Sequence, residues 1–391
     1  MKHKWLAIGV AQVMLAGATI AVYSTHGAAP ATPTINLLRV PDNGIQPQTV
    51  LDHDGVLHMI YFKGDASAGE IEYVRRPQGR KDFSQPIRVN SQPASAVAIG
   101  AVRGPQVAVG RNGRAYVIWF GPQARSVERT DSMPVFFSRL NDSGTAFEPQ
   151  RNLMQYASGG DGGLSVASDV RGNVYAVWHA TGEQPGDDHR RVYLAHSTDD
   201  GKTFSREVAI SPAALGACGC CGMRAFADEN GTLYILYRAA AQSIHRDITL
   251  LISKDHGGTF RADNVAPWNL NACPMSTAYL SAGGRRVLAA WETEGQVYFD
   301  QIDPGSLKLS PPIAAPAAGI NRKHPAVAAS ANRQLLVWTE GTGWSKGGSL
   351  GWQLFDNSGE PIGPPGHAPG LPVWGVPSAF ADEQGNFTIV Y

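Results

Sequence analysis

The chain has 391 residues, enough for two or three ordinary domains or for one large domain built from repeats. Its 33 Lys and Arg residues balance 33 Asp and Glu residues, so the sequence lacks the electrostatic footprint of a protein that binds nucleic acid or an anionic membrane surface. The 44 Gly and 26 Pro residues favour many short strands joined by tight turns over helices.

The beginning of the chain has the pattern of an export signal. Lys2 and Lys4 precede an uncharged apolar run from Trp5 to Tyr23, and small residues at 27–31 suit a cleavage site. The apolar run is also long enough to span a bilayer. We therefore predict that residues 1–31 are a cleaved signal peptide or a retained N-terminal anchor. Either alternative predicts an exported protein, periplasmic or extracellular, that contacts the membrane only if the anchor is retained.

Seven copies of one strand pair follow. Each copy has a short apolar strand, a polar turn that usually carries glycine, and an alternating strand that ends near an aromatic residue. The copies are QPQTVLDHDGVLHMIYF, GPQVAVGRNGRAYVIWF, GGLSVASDVRGNVYAVWH, CGMRAFADENGTLYILYR, CPMSTAYLSAGGRRVLAAWE, HPAVAASANRQLLVWTE and VPSAFADEQGNFTIVY. They recur at the length of one four-stranded propeller blade, which predicts an all-β propeller of seven blades over residues 34–391. A strand at residues 34–39 is expected to complete the last blade.

A second repeated motif lies between these copies. STDDGKTF and SKDHGGTF, which contain Asp199 and Asp255, share the pattern S-x-D-x-G-x-T-F. They resemble the Asp-box of sialidases and of related BNR-repeat propellers, and with the strand pairs the resemblance covers nearly all of residues 34–391. It implies a structural role for both aspartates. Because the sialidases of that family have six blades, a six-bladed propeller is the alternative to seven.

The four cysteines of the chain occupy matched places in two neighbouring copies. Cys218, Cys220 and Cys221 precede the first strand of the fourth copy, and Cys273 precedes that of the fifth. In a propeller these positions lie on one face near the axis, so we expect the four thiols to converge there. Further soft or borderline ligands have similar positions: Met223, Met275 and His324.

Three interpretations of the cysteines remain open. Disulfides suit an exported protein, either Cys221–Cys273 between blades or Cys218–Cys220 within one. A soft metal such as copper, as Cu(I), suits thiolate and thioether ligands, whereas the spacing C-x-C-C fits no common zinc site. Redox-active thiols are the third. The connection HATGEQPGDDHRR, with His179 and Asp187, is a weaker metal-binding pattern.

The sialidase resemblance also implies a catalytic set, and this sequence departs from it. Such enzymes hold the substrate carboxylate with three arginines and use a tyrosine nucleophile, assisted by glutamate, with an aspartate as acid/base. The first arginine belongs to an R-I-P motif, but here Pro47 follows Ile45 and Gln46. Arg39-Val40-Pro41 matches in letters but comes six residues too early. The remaining weak catalytic candidates are Asp65, Arg103, Arg224, Arg238, Glu292 and Glu340.

These observations favour a binding protein over an enzyme. The predicted partner is a small molecule, a glycan or a soft metal such as copper on the axial, cysteine-rich face, with no cofactor required. The alternative is a glycoside hydrolase of exo-sialidase type with a diverged active site.

Overall fold

The computed structural model describes residue 1 and residues 34–123, 133–317, 319 and 321–391. The predicted signal or anchor in residues 1–31 therefore lies outside the described residues, except for Met1. Residues Thr34–Tyr391 form one compact unit. In the described part of the chain, helix is limited to the short 3-10 turns Pro41–Asn43, Arg111–Gly113 and Asp187–His189, and no helix is long and apolar enough to cross a membrane.

The described strands form seven sheets, one for each copy of the strand pair, and each sheet is one blade of a propeller. The prediction of seven blades is confirmed, and the six-bladed alternative is wrong. From the inner to the outer strand, the blades are Ile45–Leu51, Leu57–Lys63, Glu70–Arg76 and Ile87–Arg88; Gln106–Val109, Ala115–Phe120, Val135–Arg139 and Arg151–Asn152; Leu164–Ser168, Val174–Ala180, Arg191–Ser197 and Val208–Ala209; Arg224–Ala227, Leu233–Ala240, Ile248–Ser253 and Arg261–Ala266; Tyr279–Gly283, Arg286–Thr293, Gln296–Ile302 and Ile313–Ala314; Lys323–Ala329, Arg333–Glu340, Gly348–Asp356 and Pro361–Leu371; and Ser378–Ala381, Phe387–Val390 and Ile35–Leu38.

Blade seven joins the two ends of the described unit. Ile35–Leu38 pairs in parallel with Phe387–Val390, and the amide of Val40 donates to the carbonyl of Tyr391 at 3.0 Å. The expected strand at residues 34–39 thus completes the last blade, and the ring is closed by hydrogen bonds between segments that are distant in sequence.

The core lies between neighbouring blades. The second strand of a blade is packed on both sides, as in Ala115–Phe120, where every residue is buried. Tryptophans near the ends of four second strands are each no more than 1% exposed, namely Trp119, Trp178, Trp291 and Trp338. This explains the continuous apolar runs of the second strands, since both of their faces meet another sheet.

Aspartates close the turns between inner and second strands. Oδ1 of Asp52, Asp169 and Asp228 each accepts the N–H groups two and four residues ahead, at 2.8–3.0 Å. A glycine three residues after each aspartate has a φ of 72–92°, a backbone region that side chains disfavour.

The two Asp-boxes form turns between third and fourth strands. Asp199 accepts the amide and the hydroxyl of Thr203 at 2.8 and 2.6 Å, and Asp255 accepts the same groups of Thr259 at 2.9 and 2.7 Å. Their predicted structural role is confirmed. We call the face of the propeller that carries these turns the turn face. The opposite face carries the loops that lead into each inner strand, and we call it the lead-in face.

Candidate functional site

The axis of the propeller is blocked by one arginine. Arg224, the first residue of the inner strand of blade four, donates to the side-chain oxygens of both Gln48 and Gln106, and its guanidinium carbon lies 4.8 Å from the centre of the Tyr279 ring. Arg224 is 7% exposed, and no carboxylate among the described residues pairs with it. Burial lowers the pKa of this guanidinium, but arginine is so basic that it stays charged.

This arginine separates two cavities along the axis. On the lead-in side, a cavity of about 30 Å³ has room for about two water molecules. On the turn side, a cavity of about 420 Å³ is lined largely by small apolar residues of the inner strands. The polar residues that line the first cavity include Gln46, Gln48, Gln106, Arg224, Tyr279 and His324.

Several non-glycine residues at the starts of inner strands, or in the loops before them, have left-handed backbone conformations. The φ angles are 55° for Gln46, 51° for Met275, 48° for His324 and 59° for Trp374. Such conformations persist only where the surroundings enforce them, and they are concentrated at functional sites. One enforcing contact is visible here, because Nε2 of Gln46 donates to the carbonyls of Ala98 and Trp374 at 2.6 and 3.1 Å.

His324 lies beside the axis with one ring nitrogen unused. It is 5% exposed and lines both the axial cavity and a second pocket described below. Within the described part of the chain, Nδ1 has no hydrogen-bond partner. Burial, and then the charge of Lys323, lower the pKa of His324 to about 3, so the ring is neutral at physiological pH.

An open groove of about 650 Å³ crosses the lead-in face next to the axis. Arg103 lies in it and forms an ion pair with Asp161, while Arg190 donates to the carbonyl of Gly159 at 2.6 Å. Trp344, 51% exposed, forms one wall, with its ring centre 5.9 Å from the guanidinium carbon of Arg103. An exposed indole beside charged hydrogen-bonding groups suits a ligand that has an apolar face and polar edges.

A smaller pocket of about 60 Å³ lies on the other side of Trp344. Trp374 forms part of its wall and donates its indole N–H to the carbonyl of Trp344 at 2.5 Å. Met275, Lys323 and Lys346 also line it. The two tryptophans therefore form a joined aromatic surface with cationic side chains on both sides.

The cysteine segment interrupts the inner strand of blade four. Gly216–Ala217 pairs with Ala239–Ala240, the amide of Cys218 donates to the carbonyl of Arg238 at 2.9 Å, and regular pairing resumes only at Arg224. The intervening residues loop out on the lead-in face. The predicted convergence of cysteines there is seen for three of them: the sulfur atoms of Cys218, Cys220 and Cys273 all lie within 4.8 Å of one another.

One disulfide is present, and both predicted pairings are wrong. Cys220 pairs with Cys273, with a Cα–Cα distance of 6.2 Å, and Cys218 and Cys221 are free thiols. The reason is side-chain direction: Cys221 is 2% exposed and points inward towards Arg238, whereas Cys220 and Cys273 lie nearer the solvent. The disulfide links the lead-in loops of blades four and five.

The two free thiols share a hydrogen bond. The bond to Cys221, followed by burial, raises the pKa of Cys218. Burial also works against ionisation of Cys221, but the bond from Cys218, the charge of Arg238 and the amide of Ser276 outweigh it and lower the pKa of Cys221 to about 7. Cys221 is therefore the thiol of the pair that ionises first.

The predicted soft-metal ligands do not form one cluster. Among the described residues, the one group of three or more cysteine, histidine or acidic side chains with metal-ligand spacing is Cys218, Cys220 and Cys273, and it does not include His324. Met223 lines the axial cavity, and Met275 lines the tryptophan pocket.

The connection HATGEQPGDDHRR supports the cysteine segment. His179 Nε2 lies 3.2 Å from the carbonyl oxygen of Cys221, and Asp187 accepts the amide of Gly219 at 3.2 Å. Burial, and then the charge of Arg190, lower the pKa of His179 to about 4. These contacts give the loop a structural role beneath the cysteines.

Two further candidate residues form a buried ion pair. Arg238 and Glu292 approach to 3.1 Å, with side chains only 2% and 1% exposed. Arg238 also donates to the carbonyl of Arg246 at 2.7 Å, and Glu292 accepts the amide of Gly295 at 2.8 Å. Burial raises the pKa of Glu292, although Arg238 opposes the shift. This pair joins blades four and five beneath the disulfide.

Glu340 and Asp65 lie apart from that pair. Glu340 accepts from Arg322 at 3.0 Å and from the indole of Trp338 at 2.7 Å. Asp65 is exposed, and Ser67 donates to it through both amide and hydroxyl, which lower its pKa. The predicted catalytic candidates are thus spread over the lead-in half of the molecule and do not form a catalytic set around one point.

Sequence reasoning missed several residues of the lead-in face: Gln48, Gln106, Asp161, Trp344 and Trp374. Gln48 and Gln106 each stand one position after the proline of a copy, and this shared position was the available signal. Trp344 lies in a connection between second and third strands, where the propeller pattern predicts site residues but not which of them matter.

Comparison with known proteins extends to the fold alone. No protein-family model matches the sequence, and no curated protein matches it. Among solved structures, a protein of unknown function from Dyadobacter fermentans is similar with a TM-score of 0.56 and 13% identity, over 82% of this chain and 97% of that one. The Hadza microbial sialidase Hz136 is similar with a TM-score of 0.51 and 14% identity, over 83% of this chain and 74% of that one. The resemblance to sialidase-type propellers is therefore confirmed for the fold.

Proposed function

We propose that the protein binds an anionic glycan, or a small molecule of similar chemistry, on its lead-in face and does not hydrolyse it. The observation that carries this proposal is the buried guanidinium of Arg224 at the floor of the axial cavity, with no carboxylate partner among the described residues. The predicted export signal supports a location outside the cytoplasm, and fractionation of cells that express the full chain tests that location.

The electrostatic argument starts from the cost of burying a charge. A buried cation without a counter-ion is costly, and two neutral glutamine oxygens compensate it only in part. A ligand carboxylate is planar and accepts two parallel hydrogen bonds, which a guanidinium supplies. Beyond the cavity, the rim around Trp344 carries more positive than negative side chains, with Arg103, Arg190, Lys323 and Lys346 against Asp161.

A sugar-related ligand is supported by the fold and by the tryptophans. One similar propeller is described as a sialidase. The exposed ring of Trp344, beside a groove with charged and hydroxyl side chains, offers a surface for the C–H face of a sugar and hydrogen bonds for its hydroxyl groups.

Binding without hydrolysis is favoured because, among the described residues, no carboxylate is hydrogen-bonded to the hydroxyl of Tyr279, the tyrosine of the axial cavity. The Tyr279 hydroxyl lies 3.4 Å from the hydroxyl of Ser378. Glu292 and Glu340 are engaged by arginines, and Asp65 lies on an exposed loop. Tyrosine needs a neighbouring carboxylate to act as a sialidase nucleophile, so this arrangement supports a binding site.

Calorimetric titration with sialyllactose and with lactose tests the proposal. We expect sialyllactose to bind and Arg224→Gln to weaken binding about 10- to 100-fold, the loss expected for a charge-assisted hydrogen bond. Arg261→Gln is the matched control, because Arg261 is half exposed and pairs with Asp263 on the outer strand of blade four. Binding of neither sugar, or equal binding by the Arg224 variant, would contradict the proposal.

A fluorogenic sialoside separates binding from hydrolysis. We expect no release of the fluorophore at protein concentrations that saturate binding. Release that disappears in Arg103→Gln or Arg224→Gln protein would instead support the exo-sialidase alternative.

A soft-metal site is the second candidate function, favoured by the three sulfur atoms within 4.8 Å of one another. Three thiolates at this spacing suit Cu(I), but the site requires reduction of Cys220–Cys273. We expect anaerobically reduced protein to retain one Cu(I) per chain after desalting, and oxidised protein or the Cys218→Ser variant to retain none. Equal copper in oxidised and reduced protein would contradict a thiolate site.

A further inference from the structure

The lead-in face holds a disulfide and a dithiol in contact. The sulfur atoms of Cys218 and Cys220 are 3.5 Å apart, and Cys220 is bonded to Cys273. Cys218 is in turn hydrogen-bonded to Cys221, its partner in the spacing C-x-x-C. Two thiols and a disulfide therefore follow one another as Cys221, Cys218 and Cys220–Cys273, and the 3.5 Å between the sulfur atoms of Cys218 and Cys220 puts the thiol of Cys218 within reach of the disulfide.

The two pairs differ in exposure. Cys273 is exposed and Cys220 half-buried, whereas Cys218 and Cys221 are only 1% and 2% exposed. A disulfide that needs only to staple two loops has no use for a buried dithiol beside it. Buried free cysteines are usually inert, but Cys218 is in contact with a disulfide that it can attack, and Cys221 lies behind it.

We infer that the four cysteines form a thiol–disulfide exchange site. Cys218 passes its proton to the neighbouring Cys221 thiolate and attacks Sγ of Cys220. The Cys220–Cys273 bond breaks, and Cys273 leaves as a thiolate that takes up a proton from solvent, while Cys221 returns its proton to solvent. The Cys221 thiolate then attacks Sγ of Cys218, the Cys218–Cys220 bond breaks, and Cys220 leaves. The chain begins and ends with one disulfide and two thiols, so the exchange needs no external oxidant or reductant.

The exchange moves a covalent link from between two blades to within one loop. In the first form, Cys220–Cys273 ties the lead-in loops of blades four and five together. In the second form, Cys218–Cys221 closes a loop inside blade four, and Cys273 becomes an accessible thiol. Met275, on the wall of the tryptophan pocket, lies two residues beyond Cys273, so the second form also releases the covalent anchor next to that pocket.

Native-state labelling tests the inference, because Cys273 can react with a maleimide only after exchange. Folded, oxidised protein is incubated with the maleimide at about pH 8, quenched with acid, and digested with trypsin without reduction. The three clustered cysteines fall in residues 207–224 and Cys273 in residues 262–285, so the original disulfide links two peptides. We expect these peptides to become unlinked over time, with label on Cys273.

Two variants identify the attacking thiol. Cys218→Ser removes it, and we expect labelling of Cys273 to slow at least about tenfold. Cys221→Ser leaves the first step intact, so Cys273 is still labelled while Cys218 and Cys220 remain joined. The time course of the wild-type protein tests the inference even if a variant fails to fold. Peptides that stay linked, with label absent or confined to Cys218 and Cys221, would overturn the inference.

Discussion

The two faces of the propeller are built by different means. The turn face consists of repeated local turns in which one aspartate accepts N–H groups from the next few residues, as Asp199 and Asp228 do. The lead-in face depends on contacts between residues far apart in the chain. Arg224 bonds to Gln48 across 176 residues and to Gln106 across 118 residues.

This difference shows where the molecule can hold a site. The turns between inner and second strands satisfy backbone N–H groups within a few residues of their aspartates. On the lead-in face, a buried cation, an unused histidine nitrogen, strained backbone and a dithiol remain around the axis. Burial and strain of this kind persist only when the rest of the fold supports them.

Loss of the disulfide is expected to have the largest effect on stability. Cys220–Cys273 closes a loop with a sequence separation of 53 residues, for which chain entropy predicts about 4 kcal/mol of stabilisation. We expect a reducing agent to lower the free energy of unfolding of the wild type by this amount in urea titrations. The double variant Cys220→Ser/Cys273→Ser should unfold like the reduced wild type and should not respond to the reductant. Equal stability of oxidised and reduced wild type would mean that the lead-in face does not depend on this link.

The buried pair Arg238–Glu292 is expected to rank next. Glu292→Ala leaves the Arg238 charge buried without a partner, and loss of one partner of a buried pair costs about 3 kcal/mol or more. Glu340→Ala is the matched control, because the Glu340 side chain is 24% exposed and water can replace it; its cost should be about 1 kcal/mol or less. Chemical denaturation of both variants measures the difference. Equal losses would show that burial does not decide the contribution of these pairs.

The same contrast explains what the sequence could and could not predict. Blade number, turn aspartates and the face of the cysteines follow from local patterns with a fixed period. The disulfide partner does not, because Cys220 and Cys221 are neighbours and only the shape of an irregular loop decides which points outward. The contact of Arg224 with Gln48 and Gln106 is also not predictable, because their shared position after a proline does not show which side chain they meet across the axis. Trp344 lies in a loop without a repeat.

Asp300 is an exception to the contrast between the two faces, because it is a buried carboxylate near the turn face. Burial raises its pKa to about 6, although Ser310 and the amide of Gln301 donate to it. A pKa above the unfolded value means that the folded state holds the proton more tightly, so stability falls as the pH rises from about 4 to about 6, by up to about 3 kcal/mol. Asp300→Asn keeps the accepting oxygen and removes this loss.

Urea denaturation at pH 4 and pH 7 measures the effect of Asp300. We expect Asp300→Asn to gain stability relative to wild type between these two pH values. Asp303→Asn, at an exposed turn position nearby, should show no such gain, because backbone and hydroxyl donors lower the pKa of Asp303. If the difference in free energy of unfolding between wild type and Asp300→Asn were the same at both pH values, the raised pKa of Asp300 would be contradicted.

The smallest expected effect comes from one Asp-box. Burial works against ionisation of Asp199, but donors from Thr203 and Ser197 outweigh it and lower the pKa to about 2. Since this pKa is below the unfolded value, the stabilisation is present above about pH 4 and is lost as the pH falls towards 2. Asp199→Ala should therefore cost about 1 kcal/mol at neutral pH, the net value of a hydrogen-bonded turn.

Thermal unfolding at two pH values tests that turn against an exposed aspartate. The cost of Asp199→Ala should shrink as the pH is lowered, because the wild-type carboxylate is then protonated as well. Asp54→Ala is the control on the same face, since the side chain of Asp54 is 66% exposed and should contribute little at either pH. If Asp199→Ala instead matched Glu292→Ala, the turn face would depend on its aspartates as strongly as the lead-in face depends on its buried charges. A cost near 1 kcal/mol would show that the box contributes locally, so the fold tolerates the loss of a single turn aspartate.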